Sequence, residues 1–145
     1  MAVKKSSERL KLVLKLAQIK QQQAADRLAE ASRSLEGSKQ QEKDLLHYQQ
    51  EYNRHFQYFE QQLVSPMQMR NYQRFYGGLE EAVYTQGQRI EVSERNVEFH
   101  RKHWQKEYHR EKNMQKLIER KQCLEDKLSE NKLQKALDDR LQRRR

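Results

Sequence analysis

Residues 63–79 read LVSPMQMRNYQRFYGGL. The stretch holds the chain's single proline, Pro66, and two of its four glycines, Gly77 and Gly78, among several aromatic residues. Ser65 followed by Pro66 is a helix start. The serine oxygen can accept a hydrogen bond from an orphan amide of the first turn, and proline in first position has no amide to leave unsatisfied. If the preceding segment is helical up to about Leu63, the connection is very short, and two helices joined so tightly must run antiparallel. The stretch therefore reads as the bend of a hairpin, with a turn at about 64–65. Gly77 and Gly78 then fall three turns into the second helix, where together they cost about 2 kcal/mol relative to alanine. A kink at 77–78, or a partner approaching the backbone closely there, would account for them.

The segment before the bend carries the pattern this reading requires. Steps of four and three from Leu10 reach Leu14, Ala17, Gln21, Ala24, Leu28, Ala31, Leu35, Ser38, Glu42, Leu45, Gln49, Tyr52, Phe56, Phe59 and Leu63. All but Gln21, Ser38, Glu42 and Gln49 are apolar or aromatic, a coiled-coil seam in one register. A helix over about 5–63 would be about 85–90 Å long at 1.5 Å per residue. After the bend the same stepping runs through Leu79, Val83, Gln86, Ile90, Ser93, Val97, His100, Trp104, Glu107, Glu111, Met114 and Ile118. Leu124, Leu128, Leu133, Leu137 and Leu141 continue it in a shifted register, as a stutter-like change of the seam would. The expected fold is all-α, one long antiparallel two-helix coiled coil over 1–145, with helix two spanning about 66–142.

Composition agrees with so narrow a core. Of 145 residues, 34% are hydrophobic and 35% charged, and mean hydropathy is −1.30. Such a chain stays ordered by burying one seam between long helices rather than by building a globular interior. No apolar run is long enough to span a membrane, and the N-terminal MAVKKSSERLKLVLKLAQIK is broken by lysines, so a cytoplasmic protein is expected. The single cysteine, Cys123, cannot form an internal disulfide, in keeping with a reducing compartment.

The net charge of +9 is unevenly placed. Residues 1–20 carry six Lys or Arg against one Glu, residues 101–145 carry fifteen basic against eight acidic, and residues 21–100 carry nine against twelve. An antiparallel pair brings both basic ends together. The aromatics gather elsewhere: nine of twelve lie between Tyr48 and Tyr84. Tyr52, Phe56 and Phe59 occupy seam positions and should be core, whereas Tyr48 and Tyr58 fall off the seam and mark this region as a binding surface.

Catalytic chemistry is not legible. The chain has no glycine-rich phosphate loop, no CxxC pair and no nucleophile elbow, so no enzyme, no cofactor and no small-molecule substrate is expected. His100, His103 and Glu107 could share a helix face, but basic residues crowd them and His100 sits on the seam, so no metal site is expected. Glutamates interleave with the basic residues of helix two, which favours a solvated coiled-coil face or an acidic protein partner over nucleic acid.

Taken in order, RLKLVLKLAQIKQQQAADRLAEASRSL (9–35), Gln41, Leu45, LHYQQEY (46–52), the Ser65–Pro66 turn and NYQRFYGGLEEA (71–82) resemble the FliJ family of the bacterial flagellar export apparatus. The likeness runs over about 8–110. It implies a non-enzymatic antiparallel coiled coil similar to the stalk subunit of rotary ATPases. The implied role is to bind and stimulate the hexameric flagellar export ATPase, to contact the cytoplasmic domain of the export gate, and to assist delivery of substrate chaperones. The implied place is the cytoplasmic face of the inner membrane at the flagellar base. The family's gate-contacting surface maps onto Gln41, Leu45, Tyr48, Tyr52, Phe75, Leu79, Ala82 and Gln86, the last in place of a histidine. The basic ends, Lys4, Lys5, Arg9, Arg143, Arg144 and Arg145, are the expected ATPase-ring contact. Other readings of the same residues are the equivalent stalk of a virulence secretion system, a homo-oligomeric scaffold whose aromatic region buries against itself, and a basic coiled coil that binds nucleic acid or anionic membrane.

Overall fold

The computed structural model describes residues 6–144. They form two helices, α1 (Ser6–Glu60) and α2 (Pro66–Arg143), with no strand among the described residues. The fold is an all-α helical hairpin. Burial follows the heptad stepping closely: along α1, buried or half-buried positions recur at Leu10, Leu14, Ala17, Gln21, Ala24, Leu28, Ala31, Leu35, Ser38, Glu42, Leu45, Gln49, Tyr52 and Phe56. The deepest apolar residues are Ala24, Ala31, Ile90, Val97 and Ile118. Small and β-branched side chains at the seam let two helices approach closely, which is how so polar a chain excludes water from a thin core.

The bend is built by reciprocal capping. Gln68 N donates to Ser65 Oγ at 3.3 Å, and Ser65 N donates to Gln68 Oε1 at 3.2 Å. The serine side chain thus satisfies one orphan amide of α2 while the third helical residue reaches back to satisfy the serine's own. Met69 N bonds Ser65 O at 3.1 Å, the first turn of α2. α1 stops at Glu60 rather than near Leu63: Gln61 and Gln62 form a turn in which Gln62 N donates to Phe59 O, and residues 63–65 are irregular. The residue before a proline is pushed out of helical geometry, so the chain must be extended by Ser65. The seam accordingly ends at Phe56. Phe59, expected in the core, is 48% exposed, and Leu63 is fully exposed in the connection.

α2 runs through Gly77 and Gly78 without a positive-φ residue, and a Cβ built on either meets nothing within 4 Å. Nothing in the hairpin's own packing requires glycine at these positions. The predicted shift of seam at the far end of α2 does not occur. Burial continues in the original register through Ile118, Lys121 and Glu125, while Leu124, Leu128, Leu133, Leu137 and Leu141 are all exposed. The reason is geometric. Ser7, one residue into α1, lies against Glu125, so α2 beyond that point has no opposing described helix on which a seam could form.

Packing divides the chain into two compact units, Met1–Ala25 with Lys102–Arg145, and Asp26–Arg101. Each helix contributes to both, and within each unit α1 and α2 segments pack on one another. The first is here called the terminal unit and the second the bend unit.

Candidate partner-binding surfaces

In the bend unit the aromatics form a continuous stack. Tyr72 lies flat against Tyr52 at 4.7 Å and against Phe56 at 3.9 Å between ring centroids, and Tyr52 also meets Phe75 at 4.5 Å. Tyr76 extends the stack from Tyr72 at 6.0 Å. The Tyr72 hydroxyl donates to Asn53 Oδ1 at 3.3 Å. Burial, reinforced by the neighbouring Tyr76 and Tyr52 phenols and by Glu60, raises the Tyr72 phenol above its ordinary value of 10.0. The face pairs of rings stabilise the hairpin beyond the area they bury.

Below the stack sits a polar layer. Gln86 is buried, and its Nε2 donates to Ser38 O at 2.8 Å and to Gln41 Oε1 at 3.2 Å. An amide satisfied in this way inside an apolar seam favours one register over its neighbours, since slippage would leave it unpaired.

Of the residues that the family likeness assigns to the export gate, some belong to these two features and the rest lie outside them. Gln86 and Gln41 are bonded to each other in the layer, and Tyr52 is held in the stack. Leu45, Ala82 and Gln86 line one shallow hollow, and Phe75 and Leu79 line another, with Gly78 a wall of both. Phe75 and Tyr48 are exposed. Gly78 thus belongs to this face, and its place three residues after Phe75 and four before Ala82 on α2 is the signal that could have found it. A further pocket, lined by Tyr52 of this face with Phe56, Phe59, Val64, Met69 and Tyr72, lies against the irregular connection.

The terminal unit has a different chemistry. Ser7 Oγ donates to Glu125 Oε2 at 2.7 Å, and Ser7 N donates to Glu125 Oε1 at 3.4 Å. A carboxylate from α2 therefore caps the positive N-terminal end of α1. Glu107 is buried and accepts from Arg110 at 3.2 Å. Lys112 lies over the Tyr108 ring at 5.4 Å, and Trp104 packs on the same ring. Of the six basic residues expected to touch the ATPase ring, Arg9, Arg143 and Arg144 are exposed; Lys4, Lys5 and Arg145 lie outside the described residues. By sequence the terminal unit carries twenty Lys and Arg against nine Asp and Glu, +11, and the bend unit ten against twelve, −2.

Among the described residues no cluster of three or more His, Cys, Asp or Glu is placed to hold a metal ion, and no helix is long and apolar enough to cross a membrane. His100 lies in the seam with Nδ1 buried and without a hydrogen-bond partner.

No curated protein matches the chain. The family model described as flagellar FliJ protein matches residues 6–145, nearly its whole length. With that match over a helical hairpin of the expected kind, the chain belongs to the FliJ family, coiled-coil proteins associated with flagellar protein export.

Proposed function

We propose that this protein is a non-enzymatic coupling element of the flagellar export apparatus, and that its two units serve two partners. The terminal unit binds the hexameric export ATPase and raises its activity, and the bend unit contacts the cytoplasmic domain of the export gate. Delivery of substrate chaperones and a place at the cytoplasmic face of the inner membrane belong to the same reading. The observation that carries it is the separation of chemistry by unit. A charge of +11 favours an acidic partner surface and fast, salt-sensitive association, while the near-neutral bend unit offers exposed aromatic and aliphatic side chains suited to a drier contact.

The test is kinetic. Titrating the protein into the export ATPase from the same source raises the hydrolysis rate, and the increase saturates below one copy per ATPase subunit if the hairpin acts as a single stalk in a ring. A variant with Arg9, Arg143 and Arg144 changed to Glu loses the increase at moderate salt. An ATPase that is active but indifferent to the protein at any ratio would overturn the reading.

A further inference from the structure

The terminal unit leaves apolar surface uncovered on α1. Leu10, Leu14 and Ala17 face α2, but Leu12, Val13, Leu16 and Ile19 form a second stripe that α2 does not cover, with Leu16 60% exposed and Ile19 52% exposed. A helix that buries one face and keeps a second apolar one in water is built for two neighbours. On one side of the pair the stripe opens into a groove. Val13, Leu16 and Ala17 form its α1 wall, and Met114 and Leu117 its α2 wall.

The two walls carry the same charge pattern. On α1, Arg9, Val13, Leu16 and Lys20 stand at i, i+4, i+7 and i+11, and on α2, Arg110, Met114, Leu117 and Lys121 repeat that spacing. Such spacing keeps each set in one row along its helix. Each row reads cation, two apolar residues, cation. Lys20 and Arg110 themselves line the groove, and the single carboxylate there, Glu107, is buried and already paired with Arg110.

We propose that this groove receives an amphipathic helix of an acidic protein partner, completing a local three-helix bundle. The occupant presents apolar side chains at helical spacing to Val13, Leu16, Met114 and Leu117, and carboxylates about one turn to either side, opposite Arg9, Lys20, Arg110 and Lys121. A second copy of this chain is disfavoured by charge, because it would bring one unit of +11 against another. The proposal deepens the reading of the terminal unit as the one that meets an acidic partner, and Arg9 is common to both; the apolar anchors Leu16 and Leu117 belong to the groove alone, so substituting them tests it apart from the ATPase contact.

The probe is a pair of labelled synthetic helical peptides of about twenty residues. They share one leucine stripe, and the positions flanking it are glutamate in one and lysine in the other. Fluorescence anisotropy with the full-length protein is expected to give binding at least about tenfold tighter for the glutamate peptide, weakening as salt is raised. Two variants locate the site. Leu16→Ser with Leu117→Ser removes apolar anchors that lie outside the seam and is expected to abolish binding while circular dichroism stays unchanged; Lys20→Glu is expected to remove the preference for the acidic peptide. Equal binding of both peptides, or binding that survives Leu16→Ser with Leu117→Ser, would overturn the proposal. So would sedimentation showing a dimer that those same substitutions dissociate, which would make a second copy the occupant.

Discussion

Each unit buries a heptad seam, and the two differ in what they leave outside it. In the bend unit Tyr52, Phe56, Tyr72 and Phe75 meet ring to ring across the pair, and Gln86 bonds back to α1. The terminal unit buries less bulky residues, Ala24 and Ile118 with Ser7 and Glu107, and exposes leucines on both helices. A heptad register fixes which residues meet, but it does not decide how much of the remaining surface is self-sufficient. The bend unit fixes its pairing with stacked rings and leaves Tyr48, Phe75 and Tyr84 exposed, whereas the terminal unit leaves an aliphatic stripe exposed beside basic residues.

That contrast is most strongly broken by removing its central packing. Tyr72→Ala deletes the ring shared by three neighbours and is expected to cost about 2–4 kcal/mol. Ile118→Ala empties a buried seam position and is expected to cost a similar amount. Native-state hydrogen exchange distinguishes the two: Tyr72→Ala accelerates amides flanking the bend, and Ile118→Ala those near 10–20 and 110–122. Exchange that rises uniformly in both variants would show that the units do not open separately.

Gly77→Ala with Gly78→Ala is expected to stabilise the bend unit by about 1–2 kcal/mol, because an added Cβ meets open space and the unfolded chain loses freedom. Urea denaturation measures it. The same double substitution is expected to weaken gate binding if a partner's backbone approaches Gly78, so a more stable protein that binds less well would sharpen the distinction between folding and docking. Ser65→Ala removes half of the capping box and is expected to cost about 1 kcal/mol, with Gln68→Ala costing less.

The smallest effect is that of pH. Because the folded state holds the Tyr72 phenol above its ordinary value, folded and unfolded chains are both protonated there at neutral pH, and the contribution is intact. As pH rises past about 10 the unfolded chain releases this proton first, so stability falls. Ultraviolet titration should show one tyrosine ionising after the rest, and Tyr72→Phe should abolish that late step.

Much of this was legible in the chain. Ser65 and Pro66 announced the bend, and the stepping from Leu10 to Phe56 anticipated the seam, because local capping and periodic burial are written in adjacent residues. Phe59 and Leu63 were misplaced because the rigid residue that starts α2 also unwinds the end of α1. The leucines from Leu124 to Leu141 follow a heptad-like spacing, yet a seam needs an opposing helix, and among the described residues the pairing of Ser7 with Glu125 is the last contact across it. The Gln86 to Gln41 bond depends on how the helices are paired, which no single-helix pattern contains.

The central claim is that each unit serves its own partner, and a crossed binding experiment addresses it most directly. Wild type, the variant with Arg9, Arg143 and Arg144 changed to Glu, and Phe75→Ala with Tyr48→Ala would each be titrated against the export ATPase and against the cytoplasmic domain of the export gate. The account predicts that the charge-reversed protein loses the ATPase and keeps the gate, and that the aromatic variant keeps the ATPase and loses the gate. Loss of both partners in either folded variant, or the opposite pairing of losses, would contradict it.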